Sequence, residues 1–418
     1  GIWENTNKAK SNKIDIFKDF ETVSLETKAF NILIKPKKNF KVILEPIKKN
    51  LKWTDEFYEE TNNLKNFSYN DLNELVFKSK KLTKYTSSKN ILYDNQNIIF
   101  TDDKGNIIVY SIKYQKIMFK YNFYKNKLKK IKKKLNIIKK KNKIFISDNL
   151  GYLYALDYLS QKLLWAKNYK LPFRSNLKIV GEKLILADIN NTLYFIDKKN
   201  GNKLKAVPTE DTIIKNNFIN SLSLNKDTLY YLNTYGSLYS INDKGNIKWF
   251  VNLNQSLDIN PSNLFFSKPI IFYQDKLIIS TNLYLYIIDS TSGSILSKIA
   301  ITSIVRPIIS ENNLFIITKN NLLVCINSKK GEIVYSVDIS QDIADYLNTK
   351  KKSIYVNSLT IVNNDLFLFL NNSYFIKYNA AGTIKNIDKL SSRLNSYPIF
   401  INNTIMYLDY KNKLVINN

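Results

Sequence analysis

The sequence predicts an all-β protein, an eight-bladed β-propeller, from three observations. Apolar and polar residues alternate with a period of two in many short segments, as in antiparallel strands that bury one face. These segments recur in a unit of roughly 40–50 residues, the period of a propeller blade. The recurring units run from about residue 97 to residue 418, so they account for most of the chain.

The best-preserved copy of the unit is Lys143–Trp165, KIFISDNLGYLYALDYLSQKLLW. Its first two apolar segments, Ile144–Ile146 and Tyr152–Asp157, flank a turn that contains Gly151, and a third segment ends at Trp165. Three short strands cannot close a core alone. We therefore expect the unit to stack against copies of itself.

Eight copies align on the turn position of Gly151. The aligned positions are 105, 151, 191, 236, 283, 321, 373 and 412, spaced 46, 40, 45, 47, 38, 52 and 39 residues apart. Another short strand precedes the copies, for example at Lys178–Val180, Pro269–Phe272, Pro307–Ile309 and Pro398–Phe400. Each unit therefore has four strands, the number in a propeller blade.

The eighth copy lacks its last strand, because it begins at Ile405 and the sequence ends at Asn418. A strand predicted at Leu75–Leu82 fits this gap, since Asn73–Phe77 aligns with Gln161–Trp165. A ring that stays open leaves two exposed sheet edges. We therefore predict that an N-terminal strand completes the C-terminal blade and closes the ring.

The pattern divides the chain into an N-terminal tether and lead-in segment, residues 1–69, and the propeller, residues 70–418. Residues 1 to about 28 are polar without strong periodicity, which is typical of a tether. Weak alternation follows at Phe30–Ile34 and Phe40–Leu44, before a polar region dotted with aromatic residues.

The composition excludes several kinds of catalytic site. Histidine is absent, which removes Ser-His-Asp and Cys-His nucleophile systems, His-ligated zinc and histidine general bases. The one cysteine, Cys325, lies in an apolar strand and is expected to behave as a small hydrophobic residue. No apolar run approaches the roughly 18 residues of a membrane-spanning helix.

The chain is strongly basic, with 63 Lys and Arg against 35 Asp and Glu, a net charge of +28. Almost all of the cations are lysines, because arginine occurs only at Arg174, Arg306 and Arg393. Codon bias in an AT-rich genome explains this excess, and attraction to an acidic partner or an anionic membrane surface is the alternative. Nucleic acid is not expected, because its readers rely on arginine forks and exposed stacking aromatics.

Eleven lysines lie in the segment Lys125–Lys143, KNKLKKIKKKLNIIKKKNK, between the first two blades. One interpretation is a solvated hairpin with codon-biased charge, and the other is a patch that faces anionic lipid or an acidic partner. The apolar residues Leu128, Ile131, Leu135, Ile137 and Ile138 predict that strands continue through the segment, which is therefore not a disordered tail.

The repeat resembles that of PQQ-like (quinoprotein) β-propellers: an apolar strand, then x-x-x-G-x-L-Y-x-L-D, x-x-x-G-K and a terminal Trp. One branch, the quinoprotein alcohol dehydrogenases, holds pyrroloquinoline quinone and calcium in the ring. That branch implies a catalytic Asp, acidic and amide metal ligands and two adjacent cysteines, which a chain with one cysteine cannot supply. A PQQ-dependent dehydrogenase-like enzyme is therefore the alternative prediction, and no cofactor is expected.

The other branch is the BamB family, eight-bladed lipoproteins of the outer-membrane β-barrel assembly (BAM) machinery. The segment Phe40–Trp53, FKVILEPIKKNLKW, is similar to the lead-in of BamB-like proteins. The sequence YKLPFRSN at 169–176 resembles the Leu-x-Leu-Arg loop through which BamB contacts a POTRA domain of BamA. The resemblance implies Leu171, Phe173 and Arg174 as partner-binding residues, whereas an ordinary interblade loop with apolar side chains is the other interpretation.

Two further features bear on this resemblance. BamB also uses an acidic pair at the next blade junction, for which Glu210 and Asp211 are the nearest candidates, although the surrounding VPTEDTIIKNN does not match. The blade-ending Trp survives only at Trp165 and Trp249. Degenerate blades suit a scaffold better than an enzyme that must preserve a central cofactor site.

The resemblance implies a non-enzymatic scaffold subunit of the BAM complex that binds BamA and, as further partners, unfolded outer membrane proteins. It implies a monomer within a hetero-complex, located in the periplasm. The chain starts at Gly1 rather than Met. We therefore expect that an upstream segment was removed, either by a cell or in cloning. The resemblance implies that a lipidated Cys before Gly1 anchors the protein to the inner leaflet of the outer membrane.

Overall fold

The computed structural model describes residues 29–215, 219–254 and 265–418. These residues form an eight-bladed β-propeller, as the sequence predicts. The predicted tether at residues 1–28 lies outside the described residues. In the described part of the chain, no helix is long and apolar enough to cross a membrane.

Each blade has four strands, A to D, counted from the central channel outward. Two strands, β1 (Asn66–Phe67) and β2 (Leu75–Lys81), precede the first blade, and the short strand β1 adds a fifth strand to blade 7 by pairing parallel with its A strand. Blade 1 contains β3 (Leu92–Asp94), β4 (Asn97–Thr101), β5 (Asn106–Ser111) and β6 (Lys116–Asn122). Blade 2 contains β7 (Asn136–Lys140), β8 (Lys143–Ser147), β9 (Tyr152–Asp157) and β10 (Lys162–Asn168). Blade 3 contains β11 (Lys178–Val180), β12 (Lys183–Ala187), β13 (Leu193–Asp197) and β14 (Lys203–Val207).

The remaining blades continue in chain order. Blade 4 contains β15 (Ser221–Asn225), β16 (Thr228–Leu232), β17 (Ser237–Asn242) and β18 (Ile247–Asn252). Blade 5 contains β19 (Ile271–Tyr273), β20 (Lys276–Ser280), β21 (Leu285–Asp289) and β22 (Ile295–Ile299). Blade 6 contains β23 (Ile308–Ser310), β24 (Asn313–Ile317), β25 (Leu322–Asn327) and β26 (Glu332–Asp338). Blade 7 contains β27 (Val356–Val362), β28 (Asp365–Leu370), β29 (Tyr374–Asn379) and β30 (Ile384–Lys389), and blade 8 contains β31 (Ile399–Ile401), β32 (Thr404–Leu408) and β33 (Lys413–Asn417).

The expectation that every strand buries one face is wrong for the middle strands. In β4 and β5 every residue is buried, whereas β10 buries only Trp165. The reason is that neighbouring blades cover both faces of each sheet, and only the outermost strand meets solvent. A strand buried on both faces reads as a near-continuous apolar run rather than as an alternation.

An aromatic residue near the end of a blade's outer strand, Trp in two blades, joins that blade to the next one. Trp165 Nε1 donates to the Lys198 carbonyl at 3.0 Å, and its ring lies over Gly201, where an added Cβ would come within 2.3 Å of it. Trp249 repeats this contact at Gly293. Tyr335 takes the same place in blade 6, so a degenerate blade can still make the interblade contact.

The predicted closure of the ring is present. Strand β2 pairs antiparallel with β33, so the sheet order of blade 8 is β2-β33-β32-β31. Phe77 lies opposite Ile416, and its ring is 6.4 Å from that of Tyr110 in blade 1. The N-terminal strand therefore supplies both the missing edge and its packing on the next blade.

The lead-in segment forms an internal structure that the sequence does not predict. Residues 46–70, here called the belt, pass once around the central channel. They bond to the blades in chain order: Trp53 to Tyr93 of blade 1, Thr54 to Lys139 of blade 2, Asp55 to Lys178 of blade 3, Glu60 to Leu224 of blade 4, Thr61 to Phe272 of blade 5, Asn63 to Ile309 of blade 6, Phe67 to Asn363 of blade 7 and Asn70 to Asn403 of blade 8.

Buried polar side chains hold the belt in place. Asn62 donates to the carbonyls of Leu222 and Ile270, both at 2.8 Å, and accepts from Lys178 Nζ at 2.6 Å. Lys178 also pairs with Asp55 at 2.8 Å. Burying charged and amide groups costs free energy unless they are paired, so these contacts fix the belt at one position. The division at residues 69 and 70 stays a prediction, but the described lead-in packs inside the ring.

A short α-helix, α1 (Ile339–Leu347), follows blade 6 and is also absent from the predicted elements. It lies where the spacing between turns is longest, 52 residues, between positions 321 and 373. Asp338 caps its N-terminus by accepting from the Gln341 amide, and Asn348 ends it in the left-handed conformation. The long spacing was therefore the available signal of an insertion.

Candidate functional site at the junction of blades 2 and 3

The predicted partner-binding residues lie in the connection between β10 and β11. Connections of this kind, from strand D to the next strand A, share one face of the ring with the turns between strands B and C. We call this the loop face. The turns A–B and C–D lie on the opposite face, here called the hairpin face.

Backbone and side-chain hydrogen bonds hold the connection against blades 2 and 3. The Tyr169 amide donates to the Gly151 carbonyl at 2.8 Å, and its hydroxyl donates to Gly201 at 2.6 Å. The Phe173 amide donates to the Asp148 carbonyl, and the Arg174 amide donates to the Ala187 carbonyl, both at 3.1 Å. The loop therefore presents its side chains from a fixed backbone.

The three predicted residues are not equivalent. Leu171 is 37% exposed, and Arg174 is half-buried with Nη1 donating to the Phe173 carbonyl at 3.3 Å. Burial lowers the pKa of the Arg174 guanidinium. Phe173 is only 2% exposed and packs edge-on to Tyr194 at a ring distance of 6.0 Å. Leu171 and Arg174 can reach a partner, whereas Phe173 belongs to the interblade core.

The lysine-rich segment continues this surface across blade 2. Residues 126–130 form a 3₁₀-helix and β7 begins at Asn136, so the predicted strand is confirmed at Ile137 and Ile138 and is wrong at Leu128, Ile131 and Leu135. The Asn149 side chain clamps the segment by donating to the Lys132 carbonyl and accepting from the Lys134 amide. Burial lowers the pKa of Lys134, and the nearby Arg174 lowers it further. The basic connection and the predicted loop are therefore adjacent.

The acidic candidates occupy the next connection, between β14 and β15, but their carboxylates are already engaged. Glu210 accepts from the hydroxyls of Ser237 and Tyr239, and Asp211 pairs with Lys215. The Arg174 carbonyl accepts from the Asn220 amide at 2.6 Å, which joins the two connections.

Two residues in this second connection were missed by the sequence reading. Ile213 is 90% exposed and Ile214 is 41% exposed on the same face as Leu171. Two consecutive apolar residues within an otherwise polar connection were the signal that could have found them. Exposed aliphatic side chains beside a predicted interface extend the apolar surface that a partner could cover.

The residues of the ring do not fit the quinone and calcium site of the dehydrogenase branch. That site implies two adjacent cysteines, and the only cysteine, Cys325, is buried in β25, where burial raises the pKa of its thiol. Among the described residues, no group of three or more acidic or cysteine side chains is placed to hold a metal ion. The belt also occupies the part of the channel nearest the hairpin face.

Comparison with protein families supports the other branch. Residues 138–337 match the family model described as "Outer membrane protein assembly factor BamB". The predicted resemblance to the BamB family is confirmed. The matched region contains blades 3 to 5 completely and includes the candidate loop. Comparison with curated proteins gives no match.

Solved structures with the same fold come from both branches. BamB from Moraxella catarrhalis is similar with a TM-score of 0.65 and 14% identity, covering 82% of this chain and 99% of that chain. A europium-containing methanol dehydrogenase is similar with a TM-score of 0.62 and 11% identity, covering 87% of this chain and 89% of that chain. The quinohemoprotein alcohol dehydrogenase from Comamonas testosteroni is similar with a TM-score of 0.60 and 8% identity, covering 88% of this chain and 80% of that chain. At these identities the likeness establishes the PQQ-like propeller fold.

Proposed function

We propose that this protein is a non-enzymatic scaffold subunit of the outer-membrane β-barrel assembly complex that binds BamA through the loop face of blades 2 and 3. The observation that supports the proposal is the fixed presentation of Leu171 and Arg174 at the junction where the resemblance to BamB implies a contact. Arginine is enriched among the residues that dominate binding at protein interfaces, and its planar fork suits a partly desolvated pair.

Phe173 contributes to this site indirectly. Its side chain packs among Tyr169, Tyr194 and Trp165 and holds the loop between two blades. We therefore assign Leu171 and Arg174 to direct contact and Phe173 to positioning of the backbone between them.

The proposal includes a location and further partners. A partner in the periplasm would place this protein there, with a lipid anchor before Gly1 holding it to the inner leaflet of the outer membrane. Unfolded outer membrane proteins are its expected further partners. Named residues are proposed only for the BamA contact, so the direct test addresses BamA binding.

The test replaces Leu171 with Glu and Arg174 with Ala in one variant. We expect loss of co-purification with the POTRA domains of the BamA protein from the same organism, because a charge at Leu171 must be desolvated and the arginine donors are lost. The circular dichroism spectrum should stay that of the folded β-protein, since neither side chain belongs to the core.

The matched control changes the same residue types elsewhere on the ring. Leu159 is 63% exposed in the hairpin-face turn of the same blade, and Arg393 is exposed at the junction of blades 7 and 8. The variant with Leu159→Glu and Arg393→Ala should bind as well as the unchanged protein. Equal binding by both variants would refute the site, and absence of any binding by the unchanged protein would refute the proposed partner.

A further inference from the structure

A cavity of about 420 Å³ lies in the central channel at its loop-face end. The belt forms its base through Trp53, Glu56 and Phe57, and the beginnings of several A strands form its wall. Phe266 and Tyr397 line it and are 40% and 37% exposed, so solvent reaches this part of the channel. The volume falls in the range of sites that hold small molecules, roughly 300–1,000 Å³.

Three residues of the cavity lining each carry a buried polar atom without a hydrogen-bond partner among the described residues: Glu56 Oε2, Asn357 Oδ1 and Ser358 Oγ. Glu56 is only 6% exposed, and its other oxygen accepts from the Ile137 amide at 2.6 Å. Burial raises the pKa of Glu56 to about 8, so the side chain is mostly protonated at neutral pH. A protonated Glu56 adds no negative charge that would oppose an anion in the cavity.

Two cations line the same cavity. Arg306 uses Nη1 to donate to the belt carbonyls of Phe57, at 2.7 Å, and Asn62, at 3.3 Å. Its other nitrogens and the Lys268 ammonium have no hydrogen-bond or ion-pair partner among the described residues. Burial lowers the pKa of Arg306 to about 10 and also lowers the pKa of Lys268. Asp55 stabilises the Arg306 charge at a distance, but neither cation has a direct ion-pair partner among the described residues. Burying a cation without a direct counter-charge is costly, and an anion supplied from solution would lower that cost.

We propose that this cavity binds a small organic carboxylate, held by Arg306 and Lys268. Charge-assisted hydrogen bonds from a guanidinium and an ammonium are the strong form of such contacts. The rings of Trp53, Phe57 and Tyr397 would pack on the apolar body of the ligand. The residues of this site are distinct from Leu171 and Arg174 of the proposed BamA contact, which lie on the loop face of blades 2 and 3.

The test measures binding of benzoate and of succinate by isothermal titration calorimetry, with benzamide as the neutral analogue of benzoate. We expect at least one carboxylate to bind and benzamide to bind at least about tenfold more weakly, because it lacks the charge that the two cations compensate. Preference for benzoate over succinate would identify an aromatic ligand body. The reverse preference would identify an aliphatic one.

Lys268→Met is the main variant, because among the described residues no hydrogen bond or ion pair joins Lys268 to the belt. It should weaken carboxylate binding about tenfold, whereas Lys298→Met, on the exposed outer strand of the same blade, should leave binding unchanged. Arg306→Met is a second variant, to be read only if its circular dichroism matches that of the unchanged protein. Binding of neither carboxylate, equal binding of benzamide, or equal binding by Lys268→Met would overturn the proposal.

Discussion

Single residues carry free-energy costs in this protein that the alternating pattern does not reveal. Glu56 is a buried carboxyl group in a belt that also contains Asp55, Glu59 and Glu60. Desolvation dominates its environment and raises its pKa to about 8, against the opposing hydrogen bond from the Ile137 amide. The folded protein therefore binds a proton at Glu56 that the unfolded chain releases near its ordinary pKa of 4.5.

This difference predicts a pH-dependent stability that Glu56→Gln should remove. Between about pH 5 and pH 8 the unfolded state binds fewer protons at Glu56 than the folded state, so stability falls as the pH rises. The slope from this group is at most about 1.4 kcal/mol per pH unit. Gln keeps the acceptor for the Ile137 amide without the titration. Urea unfolding followed by tryptophan fluorescence should show the unchanged protein losing stability relative to the variant across this range.

A constant difference between the two proteins from pH 5 to pH 8 would contradict the protonated state of Glu56. Other titrating groups do not disturb the comparison, because they are common to both proteins. The same measurement therefore tests, independently of any ligand, whether Glu56 is uncharged beside the cavity.

Elements of the fold decide which residues reach the loop face. The lysine-rich connection between β6 and β7 is ordered by the buried Tyr124, whose hydroxyl donates to Asp148 at 2.6 Å, and by Asn149. It therefore carries its exposed lysines at a fixed position beside the candidate loop. Cations at the rim of an interface mainly accelerate association with an acidic partner.

Neutralising Lys127, Lys129 and Lys130 to Gln should slow association with the BamA POTRA domains several-fold at low ionic strength. The effect should shrink as salt is added, because exposed charges are screened. Surface plasmon resonance over a salt series measures both. The control neutralises Lys199, Lys244 and Lys329, which are exposed on the hairpin face and change the net charge equally. Equal association rates for the two variants would show that the excess charge is general rather than local.

At the scale of the whole molecule, the N-terminal segment joins the ring together in two ways. Strand β2 supplies the missing strand of blade 8, and the belt bonds to each of the eight blades. Lys178 is fully buried, and its partners Asp55 and Asn62 both belong to the belt. The belt is therefore needed to pair a charge that the ring itself buries.

A chain that begins at residue 71 should lose its cooperative unfolding, even though it retains β2. Removing the belt takes away the partners of the Lys178 ammonium and exposes the apolar channel wall, so contacts that stabilise the folded ring by several kcal/mol are lost. A chain that begins at residue 46 keeps the belt and β2 and should unfold in one transition. Thermal unfolding followed by circular dichroism compares them, and matching transitions would refute the role of the belt.

The propeller, its period, its eight blades and the closing strand can all be predicted from the sequence alone. Each of these is written locally, because strand alternation, turn residues such as Gly151 and the terminal Trp165 recur at a regular spacing. The position of the candidate loop followed from the same alignment. Repetition made these features readable, since a weak signal in one copy was supported by the others.

The path of the belt, the cavity and the burial of Phe173 depend on tertiary contacts and could not be predicted from the sequence. The belt depends on contacts between residues more than one hundred positions apart, such as Asn62 with Leu222, and polar residues in a loop carry no period that foretells such partners. Phe173 looked like an exposed contact because its short motif is the same whether its ring faces a partner or the next blade. Which side it faces depends on the packing between blades, which exists only once the ring is closed.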